Sequence, residues 1–250
     1  MISHRSPIPV ASAHEIAQEV ASALAYSRQT NGDPVIVTPL IYPGGTRVTL
    51  GIRPLEHGYL VSDFGSGARE ADLLGGGRIF QRIAREQAAL NEVRFDSDMI
   101  FDIEVPRDAL VTAAIMVANA SKTAVELTAF RLAERRHEID LERLLGRVED
   151  ILGAKNVIRE AELVGASSKW RVDALVHRPG RLDAVFDLVA ANANSVNATV
   201  TKFLDLSQLS NGQLDRFSVL ADKEHTPHVA VLSSTSRLVS IEAAPAALAA

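Results

Sequence analysis

The spacing of apolar residues in the first hundred positions predicts a helix followed by a small antiparallel sheet. Apolar side chains recur at helical spacing from Ser12 to about Tyr26, behind a serine that can form a capping box with Glu15. Three β-rich stretches separated by glycine-containing turns follow at residues 35–40, 46–52 and 59–62. Helix formers interrupted by three consecutive glycines then occupy 68–92, and residues 92–105 return to strand character.

A second pattern begins after Pro106, where residues 107–152 contain no proline and Gly146 as their only glycine. The near-helical spacing of its apolar residues predicts one or two long helices with a break around 136–140. The pattern after Gly153 predicts three strands, a helix, two further strands and, in the alanine-rich tail, a short helix or a frayed end. These elements are expected at 157–164, 170–177, 182–190, 196–209, 217–221, 228–233 and 242–250.

These two patterns predict two domains, because the element types change at Pro106 and a chain of 250 residues exceeds the size of a usual single domain. Residues 1–105 are expected to form an α+β module of a helix and a small antiparallel sheet. Residues 107–250 are expected to form an α/β core led by long helices.

Composition excludes several classes of function. The chain has 26 Lys and Arg residues against 31 Asp and Glu residues, a net charge of -5, so nucleic acid or anionic lipid is not attracted to the chain as a whole. The chain has 0 cysteines, which excludes disulfides, thiolate zinc sites, iron–sulfur clusters and cysteine nucleophiles. Because the net charge is negative, a site that binds phosphates must be a local basic patch.

The hydropathy pattern predicts a cytoplasmic protein without a membrane span. No apolar run reaches the roughly 18 residues that a membrane helix needs. Residues 1–10 also lack the continuous apolar stretch of a signal peptide. Whether the chain forms a homo-oligomer is left open by the sequence.

The best candidate for a phosphate-binding patch lies in residues 155–181, which contain six basic residues but only three acidic ones. The candidate contacts to nucleic acid are Lys169, Arg171, Arg178 and Arg181. The alternative is an ordinary solvated strand edge, where such charges are common.

Two aspartates form the strongest candidate for chemistry. Alternation places Trp170, Val172, Ala174 and Val176 on one face of a strand and Asp173 on the other, and it places Asp187 among apolar neighbours on the following strand. Burying two unpaired carboxylates is costly, and a divalent cation such as Mg²⁺ or Mn²⁺ held by both would remove that cost. Alternatively, each aspartate pairs with Arg171, Arg181 or Lys202, or simply faces solvent.

The order of a helix, three strands with an acid in the second and the third, a helix and a strand resembles the core of the PD-(D/E)XK nuclease superfamily, over roughly residues 141–233. The resemblance implies that Asp173 and Asp187 are the two metal-binding acids and that Glu149 is an assisting acid on the first helix. The superfamily's lysine position is occupied by Val189. Lys202 on the next helix can substitute only if it points back at the sheet.

The two halves together also resemble a pair of bacterial and phage domain families of undefined function that occur joined in this order. Residues 37–39, Val-Thr-Pro, and residues 59–65, a strand that ends at an aspartate before glycine, carry this resemblance. It covers most of the chain and implies no particular chemistry.

These observations lead to two hypotheses of function. The first is a nuclease-fold protein that acts on or binds DNA, metal-dependent or catalytically degenerate, in a mobile-element or phage-defence context that comes from the resemblance alone. The alternative is a non-catalytic, protein-binding inhibitor or adaptor. The missing lysine and the acidic net charge favour the alternative, whereas Asp173 and Asp187 favour the nuclease.

Overall fold

The computed structural model describes residues 12–30, 33–209 and 214–249, and the chain divides into two compact units, Met1–Ala133 and Glu134–Ala250. The predicted absence of a signal peptide concerns residues 1–10, which lie outside the described residues. The boundary between the units lies inside a long helix rather than at Pro106. The reason is that the first part of this helix contributes Val117, Ala120 and Val125 to the core of the first unit.

The first unit contains a six-stranded antiparallel sheet with the strand order β1-β2-β3-β4-β6-β5. Short turns join most sequential strands, as expected for antiparallel neighbours. The elements are α1 (Ala13–Leu24), β1 (Tyr26–Thr30), β2 (Asp33–Ile41), β3 (Arg47–Leu55), β4 (Gly58–Ser62), α2 (Ser66–Leu73), α3 (Gly77–Leu90), β5 (Arg94–Phe95), β6 (Phe101–Val105) and the start of α4 (Leu110–Leu152). The predicted helix-plus-sheet module is confirmed in this part, but β1 was not predicted because its sequence is short and mostly polar.

The helix start at Ser12 is confirmed in detail. Its hydroxyl accepts a hydrogen bond from the Glu15 backbone at 3.2 Å, and the Glu15 carboxylate accepts one from the Ser12 backbone at 2.7 Å. This reciprocal capping box satisfies amide groups that have no partner within the helix. The resulting α1 has no buried residue.

Asp63 closes the turn between β4 and α2 and also anchors the core of the first unit. Its carboxylate accepts hydrogen bonds from the backbone of Gly65 at 2.9 Å, Gly67 at 3.1 Å and Phe101 at 3.0 Å. A fourth hydrogen bond comes from the Ser121 hydroxyl at 2.7 Å. These bonds connect the turn to β6 and α4. The sequence Asp-Phe-Gly at residues 63–65 therefore forms a turn that ends a strand.

The long helix α4 is uninterrupted over 43 residues, with no break at 136–140. By length and composition alone, the segment Arg107–Leu152 is apolar enough to cross a membrane, and 39% of its most apolar part is buried. Helices in protein cores meet the same criterion. The buried residues Val117 and Ala124 belong to the core of the first unit, so this part of α4 packs as a core helix.

The second unit contains a five-stranded mixed sheet in the order β11-β10-β9-β8-β7. The β7–β8 and β8–β9 pairs are antiparallel, and the β9–β10 and β10–β11 pairs are parallel. After the end of α4, the elements are β7 (Val157–Val164), β8 (Lys169–Val176), β9 (Asp183–Val189), α5 (Ala193–Leu209), β10 (Leu214–Leu220), α6 (Val229–Ser233), β11 (Arg237–Ser240) and α7 (Pro245–Ala249). The predicted mixture of helices and strands led by a long helix is confirmed.

The prediction of a strand at 228–233 was wrong. This segment forms α6, because His228 takes a left-handed conformation with φ 54° and its carbonyl accepts hydrogen bonds from Val231 and Leu232. The last strand is instead β11, which pairs in parallel with β10. Two parallel strands need a crossover connection, and the segment that contains α6 provides it.

Helices cover both faces of the second sheet. On one face, Leu144 and Val148 of α4 pack with Ala174 and Phe186 of the sheet. On the other face, side chains of α5 pack with Val185. The three central strands are therefore buried between two helical layers, which is where a carboxylate loses most of its contact with water.

Candidate functional site

Asp173 and Asp187 face each other at the point where the ladder between β8 and β9 ends. The ladder pairs Ala174 with Phe186, and the next pair in register would be the two aspartates. In its place, the Asp173 backbone donates a hydrogen bond to Asp187 Oδ1 at 3.1 Å, and the Leu188 backbone donates one to Asp173 Oδ2 at 2.6 Å. The two carboxylates thus replace strand-to-strand hydrogen bonds, which fixes their positions.

The regular alternation of β8 also breaks at Asp173. Val172 packs with the cluster around α5, whereas Ala174 packs with the cluster around α4, although both should share one face in a regular strand. The prediction that Trp170, Val172, Ala174 and Val176 share one face was therefore wrong. Asp173 therefore lies at the position where the side chains of β8 change from one face of the sheet to the other, between the two helical layers.

The neighbouring strand is irregular at the same place. Glu160 of β7 has φ 50°, a left-handed conformation that costs energy in a residue other than glycine. The register pairs Arg159 with Ala174 and Ala161 with Val172 but leaves out Glu160 opposite Asp173. Glu160 forms an ion pair with Arg171. The backbone is therefore irregular both in β8 at Asp173 and in the neighbouring β7 at Glu160. The regular packing of a sheet requires neither irregularity.

Lys202 of α5 points back at the sheet and contacts Asp187. Its Nζ lies 2.6 Å from Asp187 Oδ2, and it also donates a hydrogen bond to the Arg171 carbonyl at 2.7 Å. The side chains of Lys202 and Asp187 are 17% and 3% exposed. This buried oxygen forms an ion pair with Lys202, and among the described residues it has no hydrogen bond of regular geometry. Lys202 therefore points back at the sheet, which was the condition under which it could substitute for the lysine that Val189 replaces.

Burial dominates the acidity of both aspartates. It raises the pKa of Asp187 to about 6, and the negative charge of Asp173 adds to the rise while Lys202 opposes it. Burial also raises the pKa of Asp173, against the Leu188 hydrogen bond and Lys202. Two carboxylates, one buried and one partly buried, thus lie beside one ammonium group, an arrangement that favours binding of a further cation.

Glu149 does not join this group. Its carboxylate is held by Arg159 at 2.7 Å, and this ion pair lowers the pKa of Glu149. Arg159 lies opposite Ala174, on the face of the sheet that α4 covers, whereas Asp187 lies between Val185 and Val189 on the other face. The assignment of Glu149 as an assisting acid is therefore not supported, because the sheet separates it from Lys202.

The four predicted phosphate contacts do not form one patch. Lys169 and Arg178 are nine positions apart along an extended segment, which separates them by about 30 Å. Arg178 is 7% exposed and forms an ion pair with Asp215, so it cannot reach a phosphate at the surface. Arg171 is engaged by Glu160. Arg181 lies exposed in the turn next to Arg178, at the far end of β8 from Lys169.

The residues that could hold a metal are the two aspartates. Within the described parts of the chain, no group of three or more His, Asp or Glu side chains is arranged to hold a metal ion. Mg²⁺, however, is often bound through one or two carboxylates, with water and substrate phosphate as its other ligands. Asp173 and Asp187 are ligands of this kind, and the Lys202 ammonium 2.6 Å from Asp187 Oδ2 shows that this oxygen already accommodates a cation.

Sequence reasoning missed two residues near the site. The pKa of Asp173, which is raised chiefly by burial, is further raised by Glu160 and lowered by His137. The strained backbone of Glu160 has no sequence signal. His137 did carry a signal, because it precedes Leu141 and Leu144 at the spacing of one helix face.

Comparison with known proteins defines no family for this chain. No family model matches it, and no curated protein matches it. A crystal structure described as that of a protein of unknown function is similar over 39% of this chain and 58% of its own, with 12% identity and a TM-score of 0.29. The matched part is thus less than two thirds of that protein, and the similarity assigns neither a fold family nor an activity.

Proposed function

We propose that the second unit is nuclease-like and that it binds or cleaves the phosphodiester backbone of DNA with the help of a divalent cation. The observation that carries the proposal is the trio of a buried Asp187 and a partly buried Asp173 and Lys202 at the end of a strand ladder. The order of α4, three strands, α5 and β10 is also the order that resembles the PD-(D/E)XK superfamily. The mobile-element or phage-defence context comes only from the resemblance of both halves to paired bacterial and phage families.

In this proposal each residue has a defined task. Asp173 and Asp187 would hold Mg²⁺ or Mn²⁺, which polarises a phosphoryl oxygen and lowers the pKa of water when bound. The Lys202 ammonium is held by Asp187 and by the Arg171 carbonyl, so its charge is fixed beside the carboxylates. There it stabilises the negative charge that develops on a phosphate under attack.

One observation favours the alternative, a protein-binding inhibitor or adaptor. The basic residues that were expected to contact DNA are separated, and one of them is buried. Lys202 also pairs with Asp187, as it would in a purely structural ion pair. Under this alternative the trio only supports the sheet, and no metal binds.

Metal binding separates the two functions. Mn²⁺ at about one hundred times its dissociation constant should stabilise the wild-type protein by about 2.7 kcal/mol, because it binds the folded state. Isothermal titration calorimetry and thermal unfolding measure this response. Asp187→Asn should remove it, and Asp183→Asn, at the start of the same strand and paired with His177, is the matched control that should keep it. The absence of any Mn²⁺ response in the wild type would overturn the metal site and favour the inhibitor or adaptor.

A further inference from the structure

A cavity of about 290 Å³ lies in the second unit, where β10 begins. Residues 214–216 at the start of β10 and residues 233–237 between α6 and β11 line it. The second of these segments has the sequence Ser-Ser-Thr-Ser-Arg. Asp173, Asp187 and Lys202 do not line this cavity, so it is separate from the proposed metal site.

The hydroxyl groups of the second segment are already used as hydrogen-bond donors. Ser233, Ser234 and Thr235 donate to the carbonyls of residues 230–232 at the end of α6, and Ser236 donates to the carbonyl of residue 232. The backbone amides of residues 234–236 donate to the carbonyls of residues 231 and 232. The arginine side chains of the lining are therefore the main donors left for a ligand.

Arg216 is held at this cavity by backbone carbonyls rather than by an acid. Its Nε donates to the Thr235 carbonyl at 3.0 Å, and its Nη1 donates to the Leu214 carbonyl at 3.5 Å. The residue is half-buried. In the part of the chain that the structure describes, its Nη2 has no hydrogen-bond partner. The two carbonyls fix the guanidinium group and leave further N–H groups for an acceptor in the cavity.

The lining of the cavity carries an excess of positive charge. Its acid, Asp215, forms an ion pair with Arg178, whose side chain is 6% exposed, so this acid balances a buried cation. Arg237 is exposed, and its Cζ lies 5.9 Å from the centre of the Phe217 ring, a contact that leaves its N–H groups free. No acid among the described residues forms an ion pair with Arg216 or Arg237. Two positive charges therefore lack a counterion in a chain whose net charge is -5.

We propose that this cavity binds the terminal phosphate group of a phosphate monoester through Arg216 and Arg237. Such a group carries a charge of about −1.5 to −2 at pH 7, which matches two guanidinium groups without a counterion. A phosphodiester or a carboxylate carries a single charge and balances only one of them. Guanidinium groups also bind phosphate through two parallel hydrogen bonds. The monoester is a small molecule or the 5′ end of a DNA strand, and the proposal does not depend on the metal site.

Isothermal titration calorimetry of the full chain with phenyl phosphate, in buffer freed of divalent cations, tests the proposal. Dimethyl phosphate and acetate should bind about tenfold more weakly than phenyl phosphate, because each carries a single charge. Arg237→Gln should weaken the binding of phenyl phosphate by about tenfold, as expected for a lost hydrogen bond to a charged group. Arg216→Lys keeps the charge but loses the paired donors, and it should weaken binding by a similar factor. Arg143→Gln is the matched control, because Arg143 pairs with Glu242 outside the cavity, and it should bind as the wild type does.

A fluorescently labelled duplex DNA, with and without 5′-phosphates, identifies the source of the monoester. Tighter binding of the 5′-phosphorylated duplex in fluorescence anisotropy, lost in Arg237→Gln, would assign the cavity to a DNA end. Equal binding of the two duplexes, together with binding of phenyl phosphate, would assign it to a small molecule.

Three results would overturn the proposal. They are the absence of phenyl phosphate binding at millimolar concentrations, equal affinities for phenyl phosphate and acetate, and an affinity that is unchanged in both Arg237→Gln and Arg216→Lys. Urea unfolding followed by the fluorescence of Trp170 shows whether each variant keeps the second unit folded. If Arg216→Lys does not fold, Arg237→Gln decides the test, because Arg237 is exposed.

Discussion

Replacing Lys202 with methionine tests the energetic basis of the site. Methionine keeps most of the apolar stem of lysine but removes the ammonium 2.6 Å from Asp187 Oδ2. Asp187 is then left as a buried carboxylate without the cation that pairs with it among the described residues. Removing one partner of a buried ion pair typically costs about 3 to 5 kcal/mol, because the remaining charge is uncompensated.

The dependence of this cost on pH follows from the pKa of Asp187. In the wild type, burial raises this pKa from 3.8 to about 6, so the folded protein binds more protons than the unfolded chain between these values. Stability therefore falls as the pH rises from about 4 to 6 and then levels. In Lys202→Met the folded pKa rises further, so the decline continues above pH 6 by about 1.4 kcal/mol per pH unit. Lys202→Met should match the wild type near pH 5 and be less stable by about 3 kcal/mol near pH 8.

The single tryptophan of the chain makes the measurement specific to the second unit. Trp170 lies on β8 and packs in the cluster around α5, so its fluorescence reports the unfolding of this sheet. Urea unfolding at pH 5 and pH 8 gives the free energy of unfolding of each variant. The double variant Lys202→Met with Asp187→Asn removes both charges and should lose most of the pH dependence. An equal loss of stability at pH 5 and pH 8 would show that methionine disturbs packing and would refute this account of Asp187.

Two further predictions concern buried polar contacts elsewhere. Ser121→Ala removes the hydroxyl that donates to Asp63 and that contacts the Tyr42 hydroxyl at 2.7 Å, and it should lower the stability of the first unit by about 1 to 3 kcal/mol in scanning calorimetry. A result within 0.5 kcal/mol of the wild type, roughly the range of surface substitutions, would contradict this role. Asp215→Asn leaves the buried Arg178 without its carboxylate, whereas Arg178→Met leaves Asp215 with a side chain that is 26% exposed. Asp215→Asn should therefore be the more destabilising variant in urea unfolding followed by Trp170, and the reverse order would refute the argument.

The sequence predicted the elements whose patterns are local and strong. The three strands after Gly153 and the helix that follows were placed to within a few residues, because alternating apolar residues are separated by clear turns. The predicted break around 136–140 is absent, since charged residues on an exposed stretch of a helix do not interrupt it. The strand β11 was missed because a parallel strand depends on a distant partner, which no local pattern reveals.

The site was predictable in part for the same reason. Asp173 and Asp187 were selected as candidates because charged residues among apolar neighbours stand out in an alternating pattern. The contact of Lys202 with Asp187 depends on where α5 packs, and the sequence could state it only as a condition. The burial of Arg178 and the separation of the basic residues depend on tertiary structure. The closeness of these residues in the sequence therefore could not predict whether they form one surface patch.

The energetics of the trio argue that stability alone does not explain it. A buried ion pair can often be replaced by apolar residues of similar volume with no loss of stability, because desolvation offsets the attraction between the charges. Here Asp187 keeps a pKa of about 6 even beside Lys202, so the attraction does not fully compensate the burial. Glu160 adds a left-handed backbone at the same point, a conformation that costs about 1 to 3 kcal/mol. An arrangement that lowers stability at two neighbouring positions, where two aspartates meet at the end of a strand ladder, supports the proposed cation-binding site over a purely structural role.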